Sequence, residues 1–230
     1  MGQYDPAMSG ARDRARHEVI TYAHRLQAEH LVSATAGNVS TRVDGEPDAI
    51  AMTPTSLAYD ALEHDDICIV STAAERLAGR RQPTSELPLH TLIYTRRPAV
   101  GAIVHTHSPA AMTMAVLGWG LPPILTGLVD AVGGDVRVAP YSRPGTAELA
   151  DAATDALNGR GACFMRHHGL LAVGADLARA FLAASVTEVT ARVYLDARAQ
   201  GVDVPQLPPH DVAAIARAWQ AQWPAVPETA

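Results

Sequence analysis

His105-Thr106-His107 closes an apolar run, and alternate residues of a strand project to one face, so these two imidazoles can reach one metal ion. A second pair ends another apolar run in Arg166-His167-His168-Gly169 and can supply a third nitrogen. Either face of an extended 162–168 segment could be the inner one, so strand parity leaves His167 and His168 both open for that role. Glu86, in Pro83-Thr84-Ser85-Glu86, offers a carboxylate. Three histidines and a carboxylate suit zinc or a similar divalent ion such as manganese or cobalt. Each piece alone also has a plain structural reading: strand-end histidines can be solvated, and a Ser-Glu pair is a common helix start.

Around these residues the sequence carries turns rich in hydrogen-bond donors. Thr84 and Ser85 precede a helix, where N–H groups and hydroxyls can hold an anion while Glu86 serves as base or ligand. Gly37-Asn38-Val39-Ser40 and Thr53-Pro54-Thr55-Ser56 have the same character. Their weight lies in combination, since any one of them reads as an ordinary turn.

Composition removes several alternatives. All 18 basic residues are arginine, and lysine is absent. A Schiff-base aldolase, a pyridoxal-phosphate enzyme and a lysine-bearing phosphate loop are therefore excluded. The net charge of −6 comes without a basic run, so no nucleic-acid surface and no membrane-attracted patch is expected. No glycine-rich dinucleotide fingerprint follows a strand, Gly133-Gly134 being a plain turn. Residues 1–16 are polar, and no apolar stretch is long enough to span a bilayer, so neither a signal peptide nor an anchor is read. Cys68 and Cys163 lie in short apolar runs and read as buried small hydrophobes, which fits a cytoplasmic protein.

The elements that must position these groups follow from periodicity and punctuation. Ser9 can cap a helix running to about Leu31, with Val19, Tyr22, Ala23, Leu26 and His30 at helical spacing. Extended segments are expected at 36–40, 49–52, 67–70, 100–106, 136–139 and 162–166. Helices are expected from Glu86 to Tyr94, with Pro88 in the first turn, at 110–117 before Gly118, at 145–157, 177–200 and 211–220. A chain of 230 residues with 48% hydrophobic residues suits one α/β/α domain over 1–230, with 1–8 and 224–230 as loose tails.

Taken together, the motifs resemble the class II aldolase/adducin family. Thr35-Ala36-Gly37-Asn38-Val39-Ser40, Thr53-Pro54-Thr55, Thr84-Ser85-Glu86 with His90 four residues on, His105-Thr106-His107, Ala139-Pro140-Tyr141 followed by Gly145-Thr146-Ala147-Glu148-Leu149, and His167-His168-Gly169-Leu170 occur in family order. The resemblance implies a central, mostly antiparallel sheet flanked by helices. It selects His105, His107 and His168 as metal ligands, with Glu86 a metal-side ligand that becomes the catalytic base. It also puts Asn38, Thr55, Ser56, Thr84 and Ser85 at phosphate-binding positions, with Ser56 standing for a family glycine and Thr84 for a serine. A tyrosine proton donor of the family's aldolases aligns with Gly127, so that phenol is missing.

The activity implied is zinc-dependent, reversible cleavage of a ketose 1-phosphate of the L-fuculose kind to dihydroxyacetone phosphate and a short aldehyde. Metal-assisted decarboxylation of a 3-keto sugar acid phosphate is the alternative, because it develops the same kind of charge without generating an aldehyde. The family's 4-epimerases carry aspartate at the Glu86 position and a tyrosine-bearing tail, both absent here. A non-catalytic adducin-like module would lose the ligands that this chain keeps. The resemblance further implies a homotetramer with active sites at subunit boundaries, for which Trp119 and the 121–125 segment are candidate contacts.

Overall fold

The computed structural model describes residues 10–223. Its centre is an eight-stranded sheet in the order β4-β3-β2-β1-β5-β8-β7-β6. The strands are β1 (Asn38–Val43), β2 (Glu46–Met52), β3 (Cys68–Ser71), β4 (Arg76–Ala78), β5 (Ala102–Thr106), β6 (Arg137–Ala139), β7 (Ala162–Met165) and β8 (Gly169–Gly174). Only β6 and β7 pair in parallel, every other neighbouring pair being antiparallel. The expected mostly antiparallel sheet is therefore observed.

Seven helices accompany it: α1 (Ala11–Ala28), α2 (Leu87–Arg96), α3 (Pro109–Leu117), α4 (Thr126–Val132), α5 (Ala147–Ala156), α6 (Leu177–Ala199) and α7 (Pro209–Gln220). One apolar core joins α1, α3 and α6 to one face of the sheet through Val19, Leu26, Val104, Met114, Phe164 and Phe181. The other joins α2 and α5 to the opposite face through Ile93, Ile103, Leu149 and Leu171. β5 and β8 are covered on both sides, which is why all their residues are buried and their sequences read as continuous apolar runs.

Local chemistry sets the boundaries. Gly118, at φ +67, ends α3 in the left-handed conformation that glycine adopts without strain. Thr146 and Asp176 accept hydrogen bonds from Leu149 N and Arg179 N at the starts of α5 and α6. α1 buries Ala15, Val19, Ala23 and Leu26, but it stops at Ala28. His30, expected to continue the buried stripe, is exposed with φ +56 and turns the chain away. The Ser9 cap and the two tails lie outside the described residues.

Of these strands and α-helices, three were not anticipated. α4 starts without a side-chain cap and ends at Gly133, so the Gly133-Gly134 turn is the stop of a short helix. β4 is a three-residue edge strand, too short for a periodic signal. β8 follows β7 after only three residues. Cys68 and Cys163 are free and buried, as read from their apolar runs.

Candidate metal centre and active site

The pairing of β5 with β8, in which His105 stands opposite Leu171, brings the end of β5 against the β7–β8 hairpin. β7 ends at Met165, so Arg166, His167 and His168 form the hairpin turn and do not extend the strand. His168 N donates to Met165 O at 3.0 Å, and His167 takes φ +55 to reverse the chain. That reversal separates the two rings that parity could not tell apart. His168 turns towards His105, with ring centroids 4.8 Å apart, whereas His167 faces Tyr141 at 6.0 Å.

His105, His107 and His168 form one cluster, with one ring nitrogen from each lying within 4.8 Å of the others. His105 Nε2 and His107 Nε2 are 2.9 Å apart. Thr106, between them in sequence, points the opposite way and is fully buried. His105 Nδ1 lies 2.8 Å from Leu170 O and must donate to it, which leaves the Nε2 lone pair facing the cluster. Immediately after His107, the first turn of α3 is clamped by Glu188, whose carboxylate accepts from Ala110 N at 2.9 Å and Ala111 N at 2.8 Å.

Glu86 is the residue just before α2 and is buried at 4% exposure. Its Oε2 is 3.3 Å from His105 Nε2 and its Oε1 is 3.2 Å from His168 Nε2. Asn38 Nδ2 donates to Oε2 at 3.0 Å, while Oε1 has no hydrogen-bond partner. Burial by itself would raise the Glu86 carboxyl, but the His105 and His168 imidazoles and the Asn38 amide outweigh it and hold the group below the usual carboxylate range. Burial pushes the imidazoles down: His168 to about 4, with His105 adding to the shift. His105 and His107 move in the same direction for the same first reason. Three clustered imidazoles, with the His105 Nε2 lone pair facing the other two, and an unpartnered carboxylate oxygen beside them make a donor set that could hold a divalent cation.

The hydroxyl-bearing turns meet the cluster. Pro54 and Pro83 pair as an isolated antiparallel bridge, flanked by Thr84 N to Thr53 O and Thr55 N to Gln82 O, each at 3.1 Å. The Thr53–Ser56 and Pro83–Glu86 turns therefore run side by side. A cavity of about 190 Å³ is lined by Asn38, Thr55, Ser56, Thr84, Ser85 and Glu86 together with His105, His107 and His168. All nine residues singled out from the sequence thus share one cavity. Asn38, Thr84, Glu86 and His105 are buried at its floor, and Thr55, Ser56 and Ser85 are exposed at its mouth. Ser56 has φ +56, a conformation that glycine adopts more easily. Gly127 lies in α4, exposed, with open space where its Cβ would stand.

Sequence reasoning missed Glu188, a lone carboxylate in an apolar helix that gives no motif signal. It also gave no role to Ser40, His90 and Tyr94, although Ser40 and His90 stand inside the motifs that carried the resemblance.

Three imidazoles and a carboxylate on a mixed α/β scaffold, opening into a hydroxyl-lined cavity, define a candidate metal centre for a small anionic ligand. Residues 17–195 match the Class II Aldolase and Adducin N-terminal domain, and the chain belongs to the class II aldolase and adducin family. It is 36% identical over 198 residues to the 5-deoxy-D-ribulose 1-phosphate aldolase of Bacillus thuringiensis, covering 86% of this chain and 91% of that protein. It is 37% identical over 187 residues to a 5-methylthioribulose-1-phosphate/5-deoxyribulose-1-phosphate aldolase of Rhodospirillum rubrum, covering 81% and 83%. A solved L-fuculose 1-phosphate aldolase superposes with a TM-score of 0.86 at 30% identity, covering 94% of this chain and 100% of that one. No described helix is long and apolar enough to cross a membrane.

Proposed function

We propose that this chain is a metal-dependent lyase that reversibly cleaves a ketose 1-phosphate between C3 and C4, giving dihydroxyacetone phosphate and a short aldehyde. The observation that carries the reading is the shared cavity, in which the histidine cluster and Glu86 face the hydroxyls of Thr55, Ser56, Thr84 and Ser85. Among substrates, 5-deoxyribulose 1-phosphate, which would yield acetaldehyde, comes first. Two relatives named for it are 36% and 37% identical and a third is 30%, against 31% for the L-fuculose phosphate aldolase of Escherichia coli. The L-fuculose type suggested by motifs alone comes second.

His105, His107 and His168 would hold the ion, with zinc the choice that best suits three imidazoles and a carboxylate. Bound there, the ion supplies Lewis-acid stabilisation of the negative charge that develops on the ketose oxygens. Glu86 is a metal-side ligand that then acts as base, removing a proton from C3 of the three-carbon fragment in the synthetic direction and returning it in cleavage. Its unpartnered Oε1 is the oxygen free to do so. Thr55, Ser56 and Ser85 donate to phosphate oxygens, and Thr84, whose Oγ1 accepts from Glu86 N, keeps its own proton for the same use. Asn38 has a second amide proton beyond the one given to Glu86. Without lysine, no imine route competes.

A homotetramer is part of this reading. Val116, Leu117, Trp119 and Leu125, and Leu182, Val189 and Val193 on α6, are large apolar side chains at 39–59% exposure. Leu121, from the candidate contact segment, is instead fully buried within its own chain. A monomer by light scattering at working concentration would refute the assembly.

The deciding experiment assays ketose 1-phosphates and the corresponding free ketoses with one metal-loaded preparation, following dihydroxyacetone phosphate and carbon dioxide. Cleavage of the phosphorylated ketoses that stops on chelation is expected. Carbon dioxide without dihydroxyacetone phosphate, or full activity after complete metal removal verified by elemental analysis, would overturn the proposal.

A further inference from the structure

Behind Glu86 runs a chain of buried side chains of which the reaction described above uses only Asn38. Asn38 and Ser40 are two apart on β1 and share one face, whereas Glu86, His90 and Tyr94 recur every four residues along α2. The two periodicities mesh. Asn38 Nδ2 is 3.0 Å from Glu86 Oε2, Asn38 Oδ1 is 2.5 Å from His90 Nε2, His90 Nδ1 is 2.6 Å from Ser40 Oγ, and Ser40 Oγ is 2.8 Å from Tyr94 Oη. Ser40 and His90 are fully buried, Tyr94 is 1% exposed and Asn38 4%.

The direction of every bond in this chain follows from its end. An ionised carboxylate only accepts, so the Asn38 atom facing Glu86 is its amide nitrogen, and the Asn38 oxygen must face His90. That oxygen can only accept, so His90 Nε2 carries the proton. The ring is fully buried and its nitrogens face only a neutral amide and a hydroxyl, with no carboxylate to pair a second charge, so it carries one proton and Nδ1 must accept from the Ser40 hydroxyl. Ser40 Oγ then accepts from Tyr94, whose phenol burial keeps protonated. From Asn38 to Tyr94 no polar side-chain atom is left unpaired, and no bond can reverse without leaving one buried and unsatisfied.

The geometry points to His90 as a positioning residue for the proton transfer: held as its Nε2–H tautomer between Ser40 and Asn38, it locks the Asn38 amide so that one Glu86 oxygen is tied and the other is left free towards the histidine cluster. This rests on the reading of Glu86 as the proton-transferring carboxylate. Its consequence is orientation. A Glu86 whose Oε2 is anchored presents Oε1 in one direction, and small misplacements of a base carry large rate penalties. If Asn38 were free to flip, it would turn a carbonyl oxygen towards the carboxylate and repel it.

Two measurements test the inference. The first is the tautomer of His90 by nitrogen-15 NMR of histidine-labelled wild-type protein at pH 7.5, assigned against His90→Gln. A protonated Nε2 with an unprotonated Nδ1 is expected, and the opposite tautomer, or a ring exchanging between the two, overturns the wiring whatever the enzyme's substrate proves to be. The second compares His90→Leu and His90→Gln at verified metal stoichiometry. His90→Leu is expected to lower kcat by at least about 30-fold with KM within about threefold and metal content unchanged. His90→Gln, which keeps a donor for Asn38, is expected to recover most of that loss. A His90→Leu defect that lies in metal content or in KM overturns the positioning role, as does equal impairment of the two variants. Should His90→Leu fail to fold, the wild-type tautomer and the kcat of His90→Gln decide. A wild-type protein that cleaves no ketose 1-phosphate yet shows the expected tautomer separates failure of the proposed reaction from failure of the wiring.

Discussion

His105 donates from Nδ1 to the carbonyl oxygen of Leu170 at 2.8 Å, so the ring's other nitrogen enters the cluster as a lone pair in a fixed direction. The bond joins the end of β5 to β8, two strands far apart in sequence, and ties ligand orientation to sheet register. A metal centre built this way depends on the pairing as much as on the ligands themselves.

Ligand removal and base removal should separate. His105→Ala, His107→Ala and His168→Ala are each expected to lose the ion and essentially all turnover, because three protein ligands are the usual minimum for a held catalytic zinc. Glu86→Gln keeps one oxygen and the side-chain size, so metal should stay largely bound while the rate falls roughly 10²–10⁴-fold, the scale of losing a positioned base. His167→Asn should be mild, since its ring faces Tyr141 and not the cluster. Metal content by elemental analysis beside a cleavage assay distinguishes these outcomes, and metal loss in His167→Asn with retention in His168→Asn would reverse the ligand assignment.

A change that touches no ligand should also dismantle the site. A Cβ on Gly169 would collide with the carbonyl oxygen of Thr106 and stand 3.0 Å from His107 Cδ2 and 3.2 Å from His105 Cε1. Gly169→Ala must therefore push β5 from β8 or rotate both imidazoles. The expected result is a folded protein, by far-ultraviolet circular dichroism, that holds substoichiometric metal after dialysis and has a lower Tm. Full metal retention at wild-type activity would show that the strands can absorb the methyl group.

Much of this candidate site was legible in the sequence only when its short motifs were taken together as a family resemblance, which supplied His168 and the hydroxyl-bearing residues that spacing alone left open. The HxH pair spans a strand end, and the hydroxyl turns adjoin a strand and a helix start. What was not legible depends on the chain's path between motifs. Strand parity failed at His167 and His168 because β7 ends at Met165 and a three-residue turn, not a strand, carries both rings. α4 lacks a capping side chain, and β8 has too little separation from β7 to be counted apart. The chain from Glu86 to Tyr94 was invisible for a different reason. It needs the period of two on β1 and the period of four on α2 to face each other, and that juxtaposition exists only once the sheet is formed.

Acid should destabilise the metal-free protein through its buried imidazoles. His90 and His168 are lowered to about 4, first by burial, and His105 is lowered as well, whereas an unfolded histidine titrates near 6.5. Between those values the unfolded chain binds more protons than the folded one, so stability falls as pH drops from about 6.5 towards 4. The Tm in the presence of a chelator is expected to be level from pH 8 to 7 and to decline steadily below 6.5. The decline should be shallower in His90→Gln, which removes one of the groups. A Tm that rises on acidification through this window would contradict the assignment of neutral, buried rings.

Ser56 tests the phosphate end of the cavity. It holds φ +56, a conformation that glycine adopts more easily, and its exposed hydroxyl stands 3.4 Å from that of Thr55 at the cavity mouth. A non-glycine residue retained in this conformation carries backbone strain, so Ser56→Gly should leave stability unchanged or slightly raised: relief of the strain is offset by a more flexible unfolded chain. The kinetic consequence should be larger. If the hydroxyl donates to the phosphate in ground state and transition state alike, its removal weakens binding uniformly. KM for a ketose 1-phosphate then rises about tenfold, the effect of losing a charge-assisted hydrogen bond of ~1.5 kcal/mol, while kcat stays level. Free ketoses, which have no phosphate to receive the bond, should be unaffected. A lower KM in Ser56→Gly would mean that the side chain obstructs the cavity mouth, and a fall in kcat at constant KM would move the residue from anchoring the phosphate to acting in the bond-breaking step.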